Sequence, residues 1–317
     1  VTTEAKILRV FKQVLAIILF PIGVCQWLHS IVGKVAILPA SCPDGYTRQR
    51  IERIHNHPPL HRDWAVKRFT IEVDGYSIDA AIMGQRSTLN NGRWTLVSAG
   101  NGEFYEDYLS GDRGFGEVLT GIEGNALLFN YPSVPDGWPD RRTVIKAYRA
   151  MLAFLEDQNG IAAREIVGLG HSLGGGVQGE ALDGYRLKDG IKHVFVKSRT
   201  FSSLEEEASY IGGKSLGFLA RFFGWNIGSV ASSKRLQAPE IILQTAAVDR
   251  YEVLRESAQI IGDGVIGARV SLAKALLDDP SCPKDRKVFI GIPERHNGGF
   301  GDPETLSITI NRLLQVQ

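Results

Sequence analysis

At 317 residues, with 44% hydrophobic and 22% charged side chains, the chain has the size and composition of one large domain with an insertion, or of two small domains. A formal net charge of +1 supplies no global attraction for nucleic acid or other polyanions, so a bulk-charge binder is excluded. Three scattered cysteines, Cys25, Cys42 and Cys282, are too few for a disulfide framework or a structural zinc site.

The chain begins at Val1, as a fragment or a processed product would. Lys6, Arg9 and Lys12 precede VLAIILFPIGVCQWLHSIVG (residues 14–33), a run free of Asp, Glu, Lys and Arg. A helix of that length reaches across a bilayer core, and Trp27 suits an interface. Pro21, Gln26, His29 and Ser30 interrupt the apolar character, and no cleavage site follows its first half, so a signal peptide fits poorly. Residues 1–40 are expected to form an apolar, membrane-associated segment. Spanning, lying in the membrane plane, and packing on the domain as a hairpin broken at Pro21 stand as three alternatives.

Residues 41–65 are polar and turn-rich and read as a linker. Within them HNHPPLH (residues 55–61) spaces His55, His57 and His61 in a manner that invites a metal. Pro58 and Pro59 prevent one helical face from presenting all three imidazoles, so a solvated loop without metal is expected.

The hydrophobic pattern changes at the start of the third region, residues 66–317. KRFTIEV and YSIDAAIMG alternate on either side of Asp74-Gly75, a dipeptide suited to a tight hairpin turn. Short apolar runs follow: RWTLVSAG, NALLFNY, EIVGLG, KHVFVKS, EIILQTAAV and KVFIGIP. Amphipathic stretches separate them, such as TVIKAYRAMLAFLEDQ, with Val144, Ala147, Ala150, Met151 and Leu155 on one face. Buried runs alternating with helices predict an α/β fold, a mostly parallel sheet covered on both faces and led by an antiparallel hairpin. The interval between KHVFVKS and EIILQTAAV exceeds a simple crossover, and residues 201–237 read as a cap-like insertion. Phe218, Leu219, Phe222, Phe223 and Trp225 give it a heavy apolar face, which would equally serve a membrane-facing patch or an extra helix packed on the sheet.

The chemistry is concentrated in IVGLGHSLGGGVQ (residues 166–178). A buried strand runs into it and a helix start leaves it, so Ser172 lies on a strand-to-helix turn. Gly170-His171-Ser172-Leu173-Gly174 is G-x-S-x-G, in which small neighbours clear the space a strained nucleophile elbow needs. A phosphate cradle would require a G-x-x-x-x-G-K-[ST] pattern, which this stretch lacks. A serine hydroxyl needs a base and an acid that orients the base. The expected acid is Asp249, just after EIILQTAAV, and the expected base is His296, in the loop after KVFIGIP. Alone, Asp249 would read as a helix cap and His296 as a surface histidine; their order after Ser172, each at a strand end, makes the triad. His171 points away from the hydroxyl, and His193 lies in a strand and reads as structural. The oxyanion donors are expected from the backbone N–H of Leu173 and from Asn101 or Gly102 in the AGNGEF loop.

GHSLGG, the AGNG loop, Asp249 and His296 together resemble the α/β-hydrolase superfamily, from about Arg68 to the C-terminus. The loop departs from it, with AGN where many members have His-Gly, which leaves the second oxyanion donor open. More narrowly, FPIG…ILPAS, SRTFSSL and HSLGGGVQGEAL resemble CHLPS-type proteins of intracellular bacterial pathogens. That resemblance implies a membrane-associated, hydrolase-like protein and a secreted effector, and it implies no particular substrate. The expected activity is hydrolysis of an ester, thioester or related acyl bond through an acyl-enzyme, without a cofactor, on a small-molecule or lipid acyl substrate. The alternative is a catalytically degenerate member acting as a membrane-associated interaction protein; every triad position is nevertheless filled.

Overall fold

A computed structural model describes residues 19–58, 63–110, 114–135 and 137–317. Lys6, Arg9, Lys12, residues 14–18 of the apolar run, and His61 lie outside the described residues. The described remainder of the apolar run is one helix, α1 (Leu19–Ile37), which includes Pro21. Its solvent-facing side carries Leu19, Phe20, Ile22, Trp27 and Val35, with Phe20 70% exposed. A second helix, α2 (Gly45–Asn56), occupies about half of the stretch expected to be a linker. The Asp44 carboxylate caps it by accepting from the Thr47 amide, and Ile51 and Ile54 supply its buried side. Polar composition concealed it, because two buried isoleucines are a weak periodic signal.

Strands β1 (Trp64–Val73) and β2 (Tyr76–Gln85) pair antiparallel in full register, Val73 opposite Tyr76. Asp74 and Gly75 both have positive φ, 50° and 79°, as a two-residue turn matching strand twist requires. The chain continues through β3 (Arg93–Ser98), α3 (Tyr105–Leu109), α4 (Phe115–Gly121), β4 (Asn125–Phe129) and α5 (Arg141–Glu156). Then follow β5 (Glu165–His171), α6 (Leu173–Leu182), β6 (Lys192–Ser198), α7 (Leu204–Gly212), α8 (Lys214–Phe222) and α9 (Val230–Arg235). The C-terminal part comprises β7 (Glu240–Thr245), β8 (Glu252–Val253), α10 (Leu272–Leu277), β9 (Lys287–Ile292) and α11 (Pro303–Gln315).

The strands form one sheet in the order β1-β2-β4-β3-β5-β6-β7-β9-β8. All pairs from β4 to β9 are parallel; β1–β2, β2–β4 and β8–β9 are antiparallel. Alternate residues of a strand serve opposite cores: Leu127 and Phe129 of β4 join α5 and α6, whereas Ala126 and Leu128 join α4 and α11. Helix α5 shows how sequence sets this packing. Asp140 caps its first amides, and Val144, Ala147, Met151 and Leu155 are buried on the sheet. Full burial of side chains such as Met151 and Leu155 stabilises the layer by roughly 1.5–3 kcal/mol each. This is the expected α/β architecture, a mostly parallel sheet with helices on both faces.

Helices α7 and α8 form a hairpin through Gly213, whose φ of 80° permits the reversal. Ser203 caps α7, accepting from the Glu206 amide. The apolar face expected over residues 218–225 divides in two. Phe218, Leu219 and Phe222 are exposed, while Trp225 is fully buried beneath α1. Trp225 Nε1 donates to the His29 carbonyl at 2.8 Å, and the two rings stack with centroids 4.6 Å apart. Gly33 lies so close to the indole that a Cβ there would be 2.3 Å from it. Helix α1 is thus docked through its inner side and uncovered on its outer side.

Candidate active site

The junction of β5 and α6 holds Ser172 at φ 52° and ψ −120°, a conformation that costs a non-glycine residue about 1–3 kcal/mol. Neighbouring groups hold it there. The Ser172 amide donates to the Ser198 carbonyl at 2.9 Å, and the Thr200 hydroxyl donates to the Ser172 carbonyl at 2.7 Å. The flanking glycines give the clearance the motif required: a Cβ on Gly170 would meet the Gly174 carbonyl at 2.7 Å, and one on Gly174 the Ser98 carbonyl at 2.0 Å. The serine side chain is left at the head of the sheet, where β5 and its parallel neighbours end.

Ser172 Oγ lies 2.9 Å from His296 Nε2. His296 Nδ1 lies 2.8 Å from a carboxylate oxygen, that of Asp263 and not of Asp249. The expected position of Asp249 is therefore corrected: it is exposed and borders a separate concavity with Arg250, Tyr251 and Asp302. The reason lies in the chain's path after β7. Residues 246–262 make an excursion that contributes the short edge strand β8, then return. Ala246 bridges Ile260, and the Ile261 amide donates to the Thr245 carbonyl at 3.2 Å. Asp263 consequently sits at the end of β7 in space though eighteen residues beyond Thr245 in sequence. Its Oδ1 accepts the amides of Val265 at 2.8 Å and Ile266 at 2.6 Å, leaving Oδ2 for the imidazole. With three donors on a fully buried carboxylate, its orientation is fixed.

The histidine loop is also tied down. Arg199, wholly buried at φ 45°, donates to the carbonyls of Arg295 and Gly299 at 2.7 Å each, gripping the loop on both sides of His296. Thr245 Oγ1 donates to the Glu294 carbonyl at 2.7 Å. No motif rule identified Arg199, although SRTFSSL contains it. His171 is buried, with its ring 4.9 Å from that of His296, and it forms part of the cavity wall. His193 pairs with Glu156 at 2.8 Å in the core, as a structural histidine does.

Ser172 and His296 open into a cavity of about 600 Å³. Its walls come from α1 (Val32, Val35), from α7 and α8 (Ile211, Leu219), and from the loops after β3 and β8. A larger concavity, about 720 Å³, lies between α4 and α11 and contains neither Ser172 nor His296, so size does not locate the chemistry here. Leu173, buried at the first turn of α6, presents an amide that has no acceptor within the helix. Asn101 lines the cavity, its side-chain amide donating to the Ala36 carbonyl of α1 at 3.2 Å. Gly102 is not among the lining residues; at φ 76° it turns the loop beside Pro39. The Gly100 amide is already engaged by the Glu103 carboxylate at 2.6 Å.

His55, expected in a solvated loop, instead ends α2 and meets Glu106 at 2.5 Å. It approaches Asp79 as well, but Asp79 is paired with the Arg68 guanidinium at 2.9 Å. A guanidinium in that position already balances the carboxylate a cation would need.

The fold is shared with solved structures at low sequence identity. An α/β hydrolase from Vibrio vulnificus matches with a TM-score of 0.58 and 13% identity, over 86% of each chain. Est1E from Butyrivibrio proteoclasticus, with ferulic acid bound, matches at 0.56 and 14%, over 78% of this chain and 98% of that one. An esterase from Pyrococcus furiosus matches at 0.53 and 14%, over 80% and 90% respectively. No curated protein matches the sequence. The model of one family, described as Chlamydia CHLPS protein (DUF818), matches residues 3–307. With an α/β-hydrolase fold and a match along nearly its whole length, the chain belongs to the Chlamydia CHLPS protein family.

Proposed function

We propose that the protein is a serine hydrolase that cleaves ester, thioester or related acyl bonds through an acyl-enzyme. The observation that carries this reading is the continuous relay Ser172–His296–Asp263, with contacts of 2.9 and 2.8 Å on a strained elbow. Ser172 Oγ attacks the acyl carbon while its proton passes to His296 Nε2. The resulting imidazolium is held by Asp263 through Nδ1–H. The carbonyl oxygen, now an oxyanion, is met by the Leu173 amide and by a donor from the loop at Asn101. Collapse expels the leaving group, which takes the proton from His296. Water then attacks the acyl-enzyme with His296 as base, releasing the acid and restoring the serine. No step calls for a cofactor.

Apolar walls from α1, α7 and α8 support an acyl chain or lipid as substrate. The exposed apolar sides of α1 and α8 support contact with a membrane surface. Because α1 is docked through His29 and Gly33, the in-plane mode fits better than a span across the bilayer. A fluorophosphonate probe tests the chemistry: the wild type should be labelled and Ser172→Ala should not. Equal labelling of both, or of neither, would transfer support to a catalytically degenerate interaction protein.

A further inference from the structure

Glu207 on α7 lines the same cavity and has no part in the relay. Although it is only 4% exposed, its carboxylate oxygens are short of hydrogen bonds, the Gly267 amide offering only a weak one. Burial, and then the charge of Asp263, push its carboxyl up to about 7, against a weaker opposing effect of the Gly267 amide. A cavity serving hydrocarbon alone would be better lined by leucine at this position, since an unsatisfied buried carboxyl costs free energy. The remaining charged and titratable groups of the wall are Glu103, His171 and His296; among its described residues there is no lysine or arginine. On α7 itself Glu206 is engaged by Ser202, and nearby Arg269 lies over the Tyr210 ring.

We propose that Glu207 is the recognition group for a primary ammonium carried by the substrate, on the serine-hydrolase reading of the same cavity. An ammonium offers three N–H donors, enough for both oxygens, and its charge offsets the carboxylates that Glu207 and Glu103 bring to an apolar space. A hydroxyl would occupy one oxygen and leave the charge in place. A carboxylate or phosphate would meet two acids and no cation, which this wall disfavours.

The test uses matched esters in which a terminal ammonium replaces a methyl group. On the acyl side they are p-nitrophenyl 6-aminohexanoate and p-nitrophenyl heptanoate; on the alcohol side they are the 2-aminoethyl and propyl esters of one acid. In at least one pair the wild type should favour the amino ester by about tenfold in kcat/KM. The preference should grow as pH rises through about 7, where Glu207 ionises. The ratio cancels any pH dependence of the relay itself, which both esters share. In Glu207→Gln, shown folded by cooperative melting, the ratio should fall to about one, and Glu207→Asp should restore part of it. A wild type indifferent to the ammonium in both pairs, or a glutamine variant that keeps the preference, would overturn the proposal. Absence of probe labelling in the wild type would instead overturn the hydrolase reading on which it rests.

Discussion

The cavity has two sides built on opposite physical terms. On one side Ser172, Asp263 and His296 are nearly sealed from solvent, and backbone amides, carbonyls and Arg199 fix their orientation. On the other, α1 and α8 contribute apolar side chains to the cavity while turning others outward, Phe222 at 63% exposure among them. The first side therefore resists displacement through directional bonds with few alternatives. The second is held mainly by apolar area, with polar ties confined to a few points such as His29 with Trp225 and Asp140 and Asn101 with Ala36, and between those ties it can exchange one apolar neighbour for another. Positioning and access are thus separable, and substitutions on the two sides should have effects of different kinds.

The largest effect is expected from Asp263→Asn, which should lower kcat/KM by about 10⁴ because the amide cannot hold the required imidazole tautomer. Asp249→Asn should change it less than about twofold. Steady-state hydrolysis of a short activated ester measures both, and the opposite ranking would return the acid's role to Asp249. Next comes Arg199→Met, which orphans the Arg295 and Gly299 carbonyls and should cost about 2–4 kcal/mol in denaturant unfolding. A loss below about 1 kcal/mol would show that the histidine loop is held by other contacts. The smallest loss belongs to the outward apolar side, Asp249→Asn serving above only as the near-silent control. Phe218→Ser combined with Phe222→Ser should weaken binding to phospholipid vesicles about tenfold, with the melting temperature unchanged, since both rings contact solvent. Undiminished sedimentation with vesicles would remove α8 from the membrane contact.

These contrasts track what could be read from the chain. Ser172, His296, the hairpin at Asp74-Gly75 and the parallel sheet rest on local patterns, because a two-residue turn and a glycine-cleared elbow constrain only their neighbours. Asp263 does not: its place depends on an excursion that closes through the Ala246–Ile260 bridge, a pairing that no local spacing encodes. The first carboxylate after β7, Asp249, satisfies the local pattern but is exposed, whereas Asp263 is the carboxylate beside His296. Gly262-Asp263-Gly264 was the available clue, a turn-prone acid after the apolar pair Ile260-Ile261. Arg199 and Glu207 were illegible for a related reason. Charged residues in a helix's first turn or after a strand are ordinarily solvated, and only tertiary packing turns these two inward.

The union of α1 with Trp225 also has a consequence for biosynthesis. Their hydrogen-bonded partners are 196 residues apart, so at about 5–20 residues per second a ribosome needs roughly 10–40 s to supply the indole after His29. Throughout that interval both flanks of the helix are uncovered on a nascent chain, where an apolar segment of this length favours premature association. The final docking of α1 must therefore wait for synthesis of β5, which leads into Ser172, and of β6, which carries the Ser198 carbonyl that holds its amide.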